Sequence, residues 1–247
     1  MKRYAVFTAR FALVPMISGP FVVSATGRAS GLEWAHIVSG FAVLYLIFFL
    51  LLLSAKHSEV RLPAIAALAI GLVEAIPNVP QLHAAVSPVL FAILAWAVIA
   101  APAGEETAHG KNQAVLFLPA LVLLPILYGV RYRHQTSGLM SHLGAALPVA
   151  GFLLILCLVL KERHAANTLL CTACNITIGA VLFQVVFGIA TLILRMLDLN
   201  SGISLAIVRT AHITGAAPVL AASTMLAIQY RRDGSFEHGV IPFADHK

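Results

Sequence analysis

Long apolar runs recur along the chain, broken by short stretches rich in charge, glycine and serine. They lie near Ala5–Val23, Trp34–Ala55, Leu62–Val79, Leu82–Ala101, Gln113–Val130, Met140–Leu160, Thr168–Met196 and Leu205–Tyr230. A helix needs roughly 20 apolar residues to cross a bilayer, and eight such runs with short connections consume nearly the whole sequence. The expected fold is an all-α integral membrane protein with eight transmembrane helices. Lys2 and Arg3 precede the first run and no small-residue cleavage site follows it, so it reads as a retained span.

Polar positions inside the runs are few, and the histidines among them are regular. His36, His83, His142 and His212 each sit at or near the start of an even-numbered run. A neutral imidazole at membrane depth is costly and is normally kept for a purpose. In a chain that weaves in and out, all four rings fall near one membrane face, as two pairs. Paired imidazoles between bundled helices are what six-coordinate heme iron requires.

The same residues expose an internal repeat. Gly19 to Gly31 runs from a helix end through a Ser/Thr/Gly turn to His36; Tyr128 to Gly138 follows the same course to His142. More loosely, Gly71-Leu-Val-Glu74 precedes His83, and Gly188-Ile-Ala-Thr191 precedes His212. Pro88, Pro148 and Pro218 lie five or six residues after their histidines, where proline bends a membrane helix. The chain divides into two duplicated four-helix bundles, residues 1–107 and 108–247, with one ligand site in each.

Composition reinforces the lipid setting and supplies an orientation. Of 247 residues, 60% are hydrophobic and 11% charged, and the mean hydropathy is +0.93. No soluble domain combines so little charge with runs this long. With both termini in the cytoplasm, Lys2, Arg3, Arg10, Lys56, Arg61, Lys111, Lys161, Arg163, Arg231, Arg232 and Lys247 fall inside. Arg28, Arg131, Arg133, Arg195 and Arg209 fall outside. That asymmetry follows the positive-inside rule and puts the histidines at the outer face of a cell inner (cytoplasmic) membrane. The net charge of +6 is then a topology signal, with no nucleic-acid partner implied. Cys157, Cys171 and Cys174 lie in apolar runs, and Cys171-Thr-Ala-Cys174 lacks a thioredoxin-like context, so the thiols read as small packing residues.

Three motifs resemble the heme A synthase family. Glu33-Trp-Ala-His36 is similar to the family's Glu-x-x-His at the start of the second helix. Arg133-His-Gln-Thr-Ser-Gly138 resembles its Arg-His-Thr-x-Ser-Gly turn after the fifth. Gln184-Val-Val-Phe-Gly188-Ile-Ala-Thr191 resembles its Gln-x-x-x-Gly-x-x-Thr on the seventh. Many members carry a cysteine pair in the first outer loop; Ala25–Glu33 has none, and Glu74 stands where the family commonly has a small residue. The resemblance implies oxidation of heme O to heme A, a porphyrin methyl becoming a formyl, for cytochrome oxidase assembly. It further implies a resident heme B on His142 and His212, with His36 and His83 facing the substrate heme. It also implies a heme O synthase as supplier. The electron donor is not identified, and a homo-oligomer is left open.

Around these ligands the residues carry two readings each. Glu33 lies one turn before His36 on the same helix face. It is either a first-turn carboxylate complementing the helix dipole or the acid–base group that methyl hydroxylation and dehydration of a gem-diol require. Arg131, Arg133 and Arg209 either snorkel at the interface or pair with heme propionates. His134 is a propionate contact or a proton relay, and Glu74 is a substrate or proton contact or an interface residue. His57, His109, His164, His238 and His246 read as solvated surface. A non-catalytic diheme b-type cytochrome or heme-binding assembly factor is the rival function, and a duplicated transporter a second.

Overall fold

The computed structural model describes residues 1–24, 30–76, 80–101, 117–197 and 203–232. Within them the chain is helical: α1 (Lys2–Phe11), α2 (Leu13–Ser24), α3 (Ser30–Leu53), α4 (Ser58–Glu74), α5 (Pro80–Ala100), α6 (Phe117–Arg133), α7 (Leu139–Arg163), α8 (Thr168–Met196) and α9 (Ile203–Arg232). Among the described residues six stretches are long and apolar enough to cross a membrane: Lys2–Val22, Glu33–Lys56, Pro80–Ala100, Leu139–Arg163, Thr168–Met196 and Ile203–Arg231. Helices α4 and α6, at 17 described residues each, are shorter. The chain has the make-up of a multi-pass membrane protein. The boundary expected at 107/108, and with it Arg28, Lys111, His109, His238 and His246, lies outside the described residues.

The first expected span is two helices. Pro15 has no N–H to give the carbonyl of Phe11, so the helical hydrogen bonding is interrupted at Ala12. Pro20 likewise frees the carbonyl of Met16. The Thr214 hydroxyl on α9 donates to that oxygen at 3.2 Å, which meets the membrane requirement that every backbone polar group find a partner.

Two cores form, one per half. Val43, Ile47 and Leu50 of α3 pack with Val60, Ala64 and Ala67 of α4 and Leu90, Leu94 and Ala97 of α5, closed by Ala5 and Ala12. Leu118, Val122 and Ile126 of α6 pack with Leu153 and Cys157 of α7, Leu170 and Cys174 of α8, and Leu220 and Leu226 of α9. The halves join where α9 lies against α5 and α2. Outside the cores the helices turn large apolar side chains outward. On α3, Trp34, Phe41 and Tyr45 are each more than 60% exposed, an outer surface suited to lipid rather than water.

The turn between α6 and α7 closes by a six-to-one and five-to-two pair of hydrogen bonds: Thr136 N–H to Arg131 O at 2.8 Å and Gln135 N–H to Tyr132 O at 3.1 Å. Gln135 takes the left-handed conformation this ending requires (φ 58°). Thr136 also donates its hydroxyl to Arg131 O at 3.1 Å. The chain thus reverses tightly and brings His142 back beside the helix it has just left.

Candidate functional site

The four histidines share one local construction. The Nδ1 of His36 lies 3.1 Å from Pro15 O, that of His83 3.2 Å from Glu74 O, that of His142 3.1 Å from Pro125 O, and that of His212 3.1 Å from Gln184 O. A carbonyl can only accept, so each Nδ1 carries the proton, which in a neutral ring leaves the lone pair on Nε2. A metal-binding histidine is commonly oriented in this way, by the hydrogen bond its other nitrogen makes. In every case the carbonyl belongs to the preceding helix.

Glycine makes the space. A Cβ on Gly19 would lie 2.8 Å from His36 Cε1, one on Gly129 3.1 Å from His142 Cε1, and one on Gly188 2.9 Å from His212 Cε1. Each glycine stands four residues, about one helical turn, after the accepting carbonyl. The imidazole therefore sets its Cε1 edge against backbone where a side chain would crowd it. The fourth equivalent, Asn78, is outside the described residues.

The rings meet as two pairs. The centres of His36 and His83 are 5.5 Å apart with planes at 86°, and those of His142 and His212 are 6.2 Å apart at 79°. Two trans imidazoles on a metal at about 2 Å from each nitrogen would place their ring centres about 6 Å apart. Both pairs fall near that spacing, and the donor set on each is two neutral nitrogens. The ring spacing and donor set of each pair are compatible with two imidazoles on one metal, such as a heme iron.

Around the pairs the halves differ. A cavity of about 200 Å³ opens beside His36 and His83. Its wall is mostly apolar, including Met16, Phe41 and Phe91, with Glu74 and Ser87 as polar members. The Ser87 hydroxyl donates to the Glu74 carboxylate and lies 2.9 Å from His83 O. In the C-terminal half, α8 runs on for about three turns beyond Gln184, and α9 begins about two and a half turns before His212. That hairpin rises past the second histidine pair, whereas α4 ends at Glu74 itself. Three buried side-chain oxygens have no hydrogen-bond partner among the described residues, and all are in the C-terminal half: Ser137, Gln184 and Thr210.

The remaining expected residues are placed as follows. Glu33 is exposed in the first turn of α3 and is not part of the cavity wall. Arg131 is exposed, and its guanidinium points back to Thr136 O at 3.5 Å within the turn. Arg133 and Arg209 are partly buried and close enough for their charges to oppose each other. No carboxylate among the described residues forms an ion pair with either. Burial and then the Arg133 cation hold the His134 imidazole below its ordinary pKa, favouring the neutral ring. Arg195 bonds the Tyr132 hydroxyl at 2.5 Å and tethers α8 to α6. Thr191 bonds Phe187 O within its own helix.

The histidine construction recurs in both halves, in a register that differs from the sequence pairing. Glu74 and Gln184 are equivalent, since each lends its carbonyl to the second histidine of its half. Gly71, set against Gly188 on sequence, instead faces Leu44, whose Cδ2 would be 2.6 Å from a Cβ there. Pro15 and Pro125 as acceptors were missed as well, although Pro-x3-Gly at 15–19 and 125–129 was a visible signal. No protein-family model, curated protein or solved structure matches the chain.

Proposed function

We propose that this chain is a heme-processing membrane oxidoreductase of the heme A synthase type, with eight spans, both termini cytoplasmic, in the cell inner membrane. His142 and His212 hold a resident heme B; His36 and His83 take heme O and position its methyl for oxidation to the formyl of heme A. The observation that carries this reading is the shared construction of the four histidines. Each Nδ1 is committed to a backbone carbonyl, each Nε2 is left with its lone pair, and the rings pair within each half. When bound, heme supplies the redox and oxygen chemistry that side chains lack. The chain's own work is to ligate, orient and exclude water. Arg133 and Arg209 supply cations for propionates, and Glu33, exposed one turn before His36, exchanges protons with water.

The asymmetry of the halves supports dividing the roles. The α8–α9 hairpin projects past one pair, as suits a group that stays, while the cavity beside the other pair suits one that is exchanged. One observation favours a second reading, the diheme carrier or assembly factor: Glu33 is exposed and outside the cavity wall. The test is to purify the protein with and without a heme O source and extract its hemes. The synthase reading expects a low-spin b-type spectrum without the source, and heme A when heme O, oxygen and reductant are supplied. Bound heme with no heme A from heme O would favour the carrier.

A further inference from the structure

Glu74 contributes two groups to one imidazole. Its carbonyl accepts from His83 Nδ1 at 3.2 Å, and its carboxylate Oε1 lies 3.8 Å from the same nitrogen. The Ser87 hydroxyl, one turn along α5 from His83, holds that carboxylate in place. Its counterpart Gln184 provides the same carbonyl to His212 at 3.1 Å, but its side chain turns elsewhere: Oε1 would lie 2.5 Å from a Cβ on Gly215. The residue one turn after His212 is Ala216, which has no hydroxyl. The backbone scaffold is duplicated while the side-chain polarity is not.

The negative charge of a carboxylate near the proton-bearing nitrogen of a ligand histidine raises the basicity of the ring and makes the other nitrogen a stronger electron donor. A stronger donor favours the oxidised metal. We propose that Glu74, braced by Ser87, is a positioning residue that makes His83 the most electron-donating of the four imidazoles and so sets the N-terminal iron at a lower reduction potential than the C-terminal one. This rests on the heme-binding reading above. With heme in both halves, reducing equivalents would then rest in the C-terminal half.

The test uses the full-length protein reconstituted with heme B alone in both halves, titrated with a chemical reductant and followed by visible absorption. Two one-electron transitions are expected, and loss of the lower one in His83→Ala assigns it. In Glu74→Gln the lower transition moves up toward the other by at least a tenfold change in the oxidised-to-reduced ratio, equivalent to about 59 mV, and the upper transition stays. Ser87→Ala keeps the carboxylate but frees it, and moves the same transition less far. A purely structural Glu74 would lower the heme content of the N-terminal half without moving the potential of what remains. Two bound hemes whose transitions are both unmoved in Glu74→Gln and Ser87→Ala would overturn the proposal and leave the heme reading standing. A protein that binds no heme through His36 and His83 would overturn both.

Discussion

In the N-terminal half the carbonyl that orients the second histidine belongs to a glutamate; in the C-terminal half it belongs to a glutamine. The first sits at the end of α4, beside a cavity and against a serine hydroxyl. The second is three turns deep in α8, with its amide against Gly215. Backbone geometry can be copied between repeats because it depends on helix placement, with a glycine one turn on at three of the four histidines. Side-chain chemistry is then free to diverge. The lesson is that a duplicated scaffold preserves how a ligand is held, and the unmatched side chains show what each copy is for.

Removing ligands should divide the halves most sharply. His142→Ala or His212→Ala should abolish or convert the resident b-type spectrum, while His36→Ala and His83→Ala leave it in place. Retention of normal heme in both C-terminal variants would break the assignment of the resident group to that half. Next in size is Glu33→Gln, which keeps shape and hydrogen bonding but loses the charge and the titratable proton. A general acid–base role is worth about 10²–10⁴ in rate, so heme A extracted after supplying heme O should fall by at least the lower figure, with heme B retained. Undiminished heme A would make Glu33 a helix-terminal charge, worth under about 1 kcal/mol.

Glycine variants come third. Gly188→Ala and Gly129→Ala drive a methyl against the His212 and His142 rings. Overpacking of this kind costs about 1–3 kcal/mol, which should appear as weakened heme retention in the C-terminal half. Gly19→Ala should do the same for the N-terminal half alone. Gly151 and Gly179 have open space where a Cβ would go, so alanine there should leave both sites intact. A loss of heme from Gly151→Ala equal to that from Gly188→Ala would show that general helix disturbance, not ring placement, is being read. The smallest effect belongs to the joint between halves. Thr214→Val removes the hydroxyl that satisfies Met16 O, at about 0.5–1.5 kcal/mol. It should lower the thermal midpoint slightly without changing either heme spectrum.

Much of this was legible in the sequence, because apolar run length and histidine placement are properties of single segments. The helices and the pairing of the rings as 36 with 83 and 142 with 212 follow from such local signals. The partners of the rings were less legible, since Pro15 and Glu74 act through backbone oxygens that carry no residue signature. The second half of the repeat was set out of register for the same reason: Gly71 and Gly188 look alike in sequence, yet one clears a path for Leu44 and the other for an imidazole. Glu33 was singled out by its one-turn spacing from His36. Spacing on a helix cannot say whether a side chain faces a cavity, and it is Glu74 that lines this one.

The three glycine contacts also bear on binding thermodynamics. An imidazole that occupies the place of a missing side chain, with its inner nitrogen fixed to a carbonyl, has little rotamer freedom left to lose. Ordering a side chain when a ligand binds typically costs about 0.5–1.5 kcal/mol, and here that ordering is completed as the helices pack. On the heme reading proposed above, affinity for a flat, doubly ligated guest would depend on the bundle having assembled. A half whose helices have not yet come together would have no weaker version of the site to offer, only scattered histidines.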